Sequence, residues 1–221
     1  MFIGHFALAF ATKRVEPSVS LGTYFAAAQL PDVLWPCFLL AGVEHVTIAP
    51  GSTAFTPLRF DSYPVSHSLL TVIGWGALMG GLHWWRKRRL RAAVTIALLV
   101  VSHWVLDWVT HRPDMPLTPW SPLKLGLGLW NSVVGTLVVE SAMFVGGVWL
   151  YLSATRARDA VGRYGLAALV ALLVVIYLGA AFGPPPPSVH AMAVSMLPAL
   201  AIAVWAAWAD RHRAWKPIWP R

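Results

Sequence analysis

The chain has 221 residues, of which 57% are hydrophobic and only 12% charged, with a mean hydropathy of +0.62. That is about half the charge of soluble domains, roughly 25%, which excludes an ordinary soluble globule. The formal charge of +8 is spread over alternate loops rather than along one stripe, so the bilayer, not nucleic acid, is the expected partner.

Six apolar runs, at residues 20–42, 66–85, 92–111, 131–152, 164–183 and 189–209, are each long enough to cross about 30 Å of hydrocarbon. The expected fold is all-α: one polytopic membrane domain over residues 1–221, with about six spans and a short N-terminal helix. Residues 1–11 are apolar, and Ala9-Phe10-Ala11 resembles a peptidase site. No basic stretch precedes it, so a signal peptide is not expected. Such a helix reaches only about 16–18 Å, too short to span, and should dip into the bundle holding His5. Lys13, Arg14, Arg86, Lys87, Arg88, Arg89, Arg91, Arg156, Arg158, Arg163, Arg211, Arg213, Lys216 and Arg221 fall on one side. Only Arg59, Arg112 and Lys124 fall on the other, so the positive-inside rule puts both basic terminal regions in the cytoplasm. Trp84, Trp85, Trp120, Trp130, Trp149, Trp215 and Trp219 sit at segment ends, as interfacial anchors do. Cys37, the single cysteine, allows no disulfide and is expected to be a small buried hydrophobe.

The first run contains Gln29-Leu30-Pro31-Asp32. Pro31 should break the helix and free carbonyls beside Asp32. The loop 43–64 is placed outside, where it can cover a pocket; Glu44, His45 and Asp61 within it are expected to be solvated. Ser66 is a candidate N-cap for the second run, with His67 in its first turn. In the third run the stretch SHWVLDWVTH, residues 102–111, places His103, Asp107 and His111 at i, i+4 and i+8, each turned only about 40° from the last. Leaving two imidazoles and a carboxylate in apolar surroundings costs several kcal/mol unless each finds a partner, and a bound cation suits all three. The proline-rich loop 112–129 can line the mouth. Glu140 stands alone in the fourth run, as a general base, a partner to a histidine, or an interhelical hydrogen bond. Residues 131–209 otherwise read as scaffold.

Counted at about 1.5 Å per residue from the basic ends, His5 lies roughly 12 Å deep, His103 roughly 17 Å, Asp32 roughly 18 Å and Asp107 roughly 22 Å. Glu140 falls near that level, with His67 and His111 nearer the outer surface. Imidazole and carboxylate together suit zinc or another first-row divalent ion, which can activate water against an ester or phosphoester.

Gly4-His5, Leu30-Pro31-Asp32, His67-Ser68 after Tyr63-Pro64, and Ser102-His103 with Asp107 and Thr110 together resemble the YdjM-like family of membrane-bound metal-dependent hydrolases, over about residues 1–112. The resemblance implies an inner-membrane helical protein with His5, Asp32, His67, His103 and Asp107 as ligands. This chain departs from the family in having Val33, Leu34 and Trp35 after the LPD, and residues 61–63 where a His-Arg often stands. If the missing groups hold a second ion, a single ion is expected here. His111 is a further candidate ligand on helical spacing alone. Ser68 can orient a phosphate, or bond its own helix start.

The expected function is a membrane-embedded hydrolase that uses a divalent ion, zinc by ligand chemistry, with Asp107, Glu140 and Ser68 as candidate catalytic groups and a lipid or lipid-linked substrate. The alternative is a proton- or ion-coupled transporter built on the same side chains.

Overall fold

The computed structural model describes residues 1–216 and is mostly helical; the expected anchor Trp219 and the basic Arg221 lie outside the described residues. Among the described residues, four helices are long and apolar enough to cross a membrane: Leu90–Thr110, Val133–Ala154, Val161–Phe182 and Val189–Arg211. They coincide with the last four of the six apolar runs.

The first two runs take a different form. Residues 20–42 divide at Gln29 into α2 (Leu21–Ala28) and α3 (Leu30–Leu40). Pro31 sits in the first turn of α3, where its missing N–H costs little. The second run is divided as well, into a single turn, α4 (Pro64–His67), and α5 (Leu69–Lys87). The N-cap of α5 is Ser68, whose Oγ accepts from Thr71 N, and not the expected Ser66. Ser66 is instead held inside α4, and Ser68, with extended backbone, starts the longer helix.

The N-terminal helix α1 (Ile3–Val15) runs through the middle of the protein, with Ile3, Phe6, Ala9 and Phe10 all buried. It packs on α2 and on α7 (Val133–Ala154). At Gly147 a Cβ would lie 2.3 Å from Ala7 O, so only glycine lets the backbones meet there. The partner of α5 is α6 (Leu90–Thr110), drawn close by Gly76 and Gly80. A π-turn at Val161–Gly165 leads into α8 (Leu166–Phe182). The last span bends around Pro198 between α9 (Val189–Met196) and α10 (Ala199–Arg211).

Short strand pairs close the two ends. At one end lie β1 (His45–Ile48) with β2 (Leu58–Ser62) and β3 (Met115–Pro116) with β4 (Lys124–Leu125). At the other, β5 (Thr155–Ala157) pairs with β6 (Arg213–Trp215). Near β5 and β6, Lys13 Nζ donates to Asp210 Oδ2 at 2.7 Å, Leu21 N donates to the same oxygen at 3.0 Å, and Tyr151 O–H donates to Oδ1 at 2.7 Å. One buried carboxylate thereby ties α1, α2, α7 and α10 together.

Candidate metal centre

The break at Gln29 has a direct use. It leaves the Ala28 carbonyl without a helical partner, and His103 Nδ1 on α6 donates to it at 2.7 Å. That fixes the His103 ring and turns Nε2 toward Asp107, one turn further along the same helix, whose Oδ2 lies 3.1 Å away. Asp32, in the first turn of α3, places Oδ1 3.4 Å from His67 Nε2 and 3.7 Å from His103 Nε2. His67, at the end of α4, sets Nε2 3.8 Å from Asp107 Oδ2. From α1, His5 Nε2 reaches Asp107 Oδ1 at 3.1 Å, and its ring stacks on His103 at 3.7 Å between centroids. The Met1 amine also donates to Asp107 Oδ1 and to Thr110 Oγ1, leaving Oδ2 to face His67 and His103.

Among the described residues, two overlapping groups have ligand atoms close enough that they could hold a metal ion: His5, His103 and Asp107, and Asp32, His67 and His103. Two oxygen or nitrogen ligands about 2.0–2.2 Å from a tetrahedral ion lie about 3.3–3.6 Å apart. The four separations linking Asp32, His67, His103 and Asp107 run from 3.1 to 3.8 Å and bracket that spacing. His103 is fully buried and His67 and Asp107 nearly so. With Nδ1 donating, the neutral His103 ring carries its lone pair on Nε2, and among the described residues that atom has no hydrogen-bond partner. A lone pair facing carboxylates in an apolar interior is stable only with a cation or a proton between them. Imidazole and carboxylate together are a donor set that could bind a metal ion.

His111 belongs to neither group. Its Nδ1 lies 2.9 Å from Asp114 Oδ1, an oxygen that also accepts from Tyr63 O–H at 2.7 Å. Glu140 is fully buried and caps α1: Oε2 accepts from Phe2 N at 2.8 Å and Gly4 N at 3.3 Å, while Oε1 has no partner among the described residues. Ser68 is buried and its hydroxyl is engaged at the start of α5.

Two expectations are overturned. Glu44 is not solvated but 1% exposed, and its carboxylate accepts from Val65 N, Ser66 N and Ser66 Oγ at 2.8, 2.8 and 2.6 Å. Ser66 Oγ lies 2.6 Å from His67 Nδ1, so Glu44 acts on the cluster through a serine. No local periodicity links residues 22 apart, which is why the sequence hid it. Cys37 is exposed, not buried, because it lies on the outer side of α3. Trp130 lines the cavity, with its ring centroid 4.3 Å from that of His111. Asp61 does lie on the surface, in the β1–β2 hairpin, where hydrogen bonds from the Thr47 hydroxyl and the Arg59 guanidinium hold its carboxyl below the usual range.

The cluster borders a cavity of about 800 Å³ whose lining includes Asp32, His67, Asp107, His111, Gln29 and Glu140. A volume of that size lies in the roughly 300–1,000 Å³ range of small-molecule sites. The family model described as YdjM inner membrane protein matches residues 1–184. No curated protein and no solved structure matches the chain.

Proposed function

The chain belongs to the YdjM inner membrane protein family, and we propose that it is a membrane-embedded metal-dependent hydrolase acting on an ester or phosphoester of a lipid or lipid-linked substrate. The observation that carries this reading is the orphaned Nε2 of His103 among two carboxylates and a second imidazole. Asp32, His67, His103 and Asp107 would hold one divalent ion, zinc by ligand chemistry, with His5 joining through Asp107. When bound, such an ion supplies Lewis acidity that brings water into the ionising range near neutral pH.

The chain's own residues prepare the site. The Ala28 carbonyl fixes His103, Ser66 and Glu44 fix His67, and His5 steadies Asp107. Asp32 is the more open of the two cluster carboxylates, with its side chain 26% exposed against 4% for Asp107, and it lines the cavity, so it meets the substrate's polar head. Glu140, with Oε1 unpartnered at the cavity wall, is the candidate proton acceptor. The basic regions lie on the cytoplasmic side in this reading.

Hydrolysis is favoured over transport by what separates the cluster from the basic end. Phe6, Phe10 and Phe25 pack ring against ring at 4.8 and 5.0 Å, with Tyr151 beyond them at 5.4 Å from Phe10. That plug is unsuited to passing ions. The test is zinc-loaded protein in lipid nanodiscs assayed on phosphoester and carboxylic-ester lipids. Chelator-sensitive release of product that Asp32→Asn and His103→Ala abolish is expected. Cation-coupled uptake into liposomes, lost in Asp32→Asn and without any product release, would overturn the proposal.

A further inference from the structure

We propose that a long-chain phospholipid reaches the cluster sideways from the bilayer, through the gap between α8 and α9, and rests its hydrocarbon tail in the slot between those helices. The placement of the head rests on the hydrolase reading above; the placement of the tail does not.

One continuous cavity carries two chemistries. At the cluster its wall is polar, with Asp32, His67 and Asp107; away from it the wall is made by Leu172, Ile176 and Ala180 of α8, Met192 and Met196 of α9 and Ile202 of α10. A small water-soluble ester would leave that apolar arm wetted, whereas an amphiphile fills both parts.

The arm is open along its flank. Among the described residues, α8 packs chiefly on α10 and the π-turn, α9 packs chiefly on α3, and the two helices hardly touch. Ile176 is 37% exposed although it lines the cavity, and Gly179 and Ala180 are exposed as well. The span that forms this flank has the highest mean hydropathy of the four, 2.5, as a helix bathed in lipid should.

The connection explains why the gap persists. Gly183 is followed by Pro184, Pro185, Pro186 and Pro187, a stretch without helix. Successive prolines hold an extended course and cannot close into a helical turn, so they act as a strut between α8 and α9. Pro184 and Pro186 roof the slot.

Gly179 supplies the test, because a Cβ there would meet nothing within 4 Å, and so would one at Gly146 on α7, which is not part of the lining. The full chain, kept metal-free, is placed in nanodiscs containing phosphatidylglycerol with a diazirine on its acyl chain, irradiated, and mapped by mass spectrometry. Adducts should concentrate in residues 172–183 and 192–202, fall several-fold in Gly179→Trp, and stay unchanged in Gly146→Trp. Adducts spread evenly over the outer faces of α5, α6, α7 and α8, or equal in both tryptophan variants, would overturn the proposal. Because no metal is needed, adducts in the slot uphold it even where product release is absent; the hydrolase reading alone then falls.

Discussion

Glu44 and His67 share one hydroxyl: Ser66 Oγ stands 2.6 Å from the carboxylate of the first and 2.6 Å from Nδ1 of the second. The single Ser66 proton goes to the carboxylate, so His67 must donate from Nδ1. That leaves a lone pair on Nε2, facing Asp32 and Asp107. A carboxylate that orients a ligating histidine typically accounts for about 10–100-fold in metal affinity. Glu44→Gln is therefore expected to weaken zinc binding by about that factor, read by competition with a chromophoric chelator. Unchanged affinity would show that the relay does not act on the cluster.

At the opposite end, Lys13 and Asp210 form a buried pair 2.7 Å apart. Removing one member of a buried pair strands the other and costs about 3–5 kcal/mol, while replacing both with apolar groups of similar volume is often neutral. Asp210→Ala should lower the unfolding transition in detergent strongly, and more than Lys13→Met combined with Asp210→Leu. The reverse order would contradict a stabilising role for the Lys13–Asp210 pair.

Neighbouring glycines on α7 should respond in opposite ways. At Gly147 an added methyl would lie 2.3 Å from Ala7 O, whereas at Gly146 it meets nothing within 4 Å. Gly147→Ala must push α1 from α7 and destabilise the protein. Gly146→Ala should be neutral or stabilising by up to about 1 kcal/mol, the helix-propensity gain of alanine over glycine. Parallel thermal melts of the two variants decide it.

Because the ligands come from separate segments, metal binding should stabilise the folded state. At a free zinc concentration of about 100 times the dissociation constant the gain is about 2.7 kcal/mol. Chelation should lower the thermal transition of the wild type and leave that of Asp107→Asn unmoved. Equal shifts in both would place the ion elsewhere.

Much of the bundle is legible in the chain because membrane helices announce themselves by length and hydropathy alone; the four apolar helices overlap segments so marked, to within two or three residues at their ends. Helical spacing likewise puts His103 and Asp107 on one face, and the Pro31 break foreshadows the bare carbonyl that His103 engages. What the chain conceals is partnership across distance. Gln29, not Pro31, is the point of division, because proline fits a first turn and moves the interruption upstream. Glu44 looks like any loop acid, and its burial follows only from the fold bringing α4 over it. His111 has the right helical phase for the cluster, yet Asp114, three residues on, takes its ring.

The most direct measurement is the metal content of purified protein by mass spectrometry, beside His103→Ala and Asp107→Ala prepared identically. Close to one zinc per wild-type chain is expected, with loss of that ion in both variants. Wild-type protein that stays empty in excess zinc, or variants that retain a full complement, would contradict it.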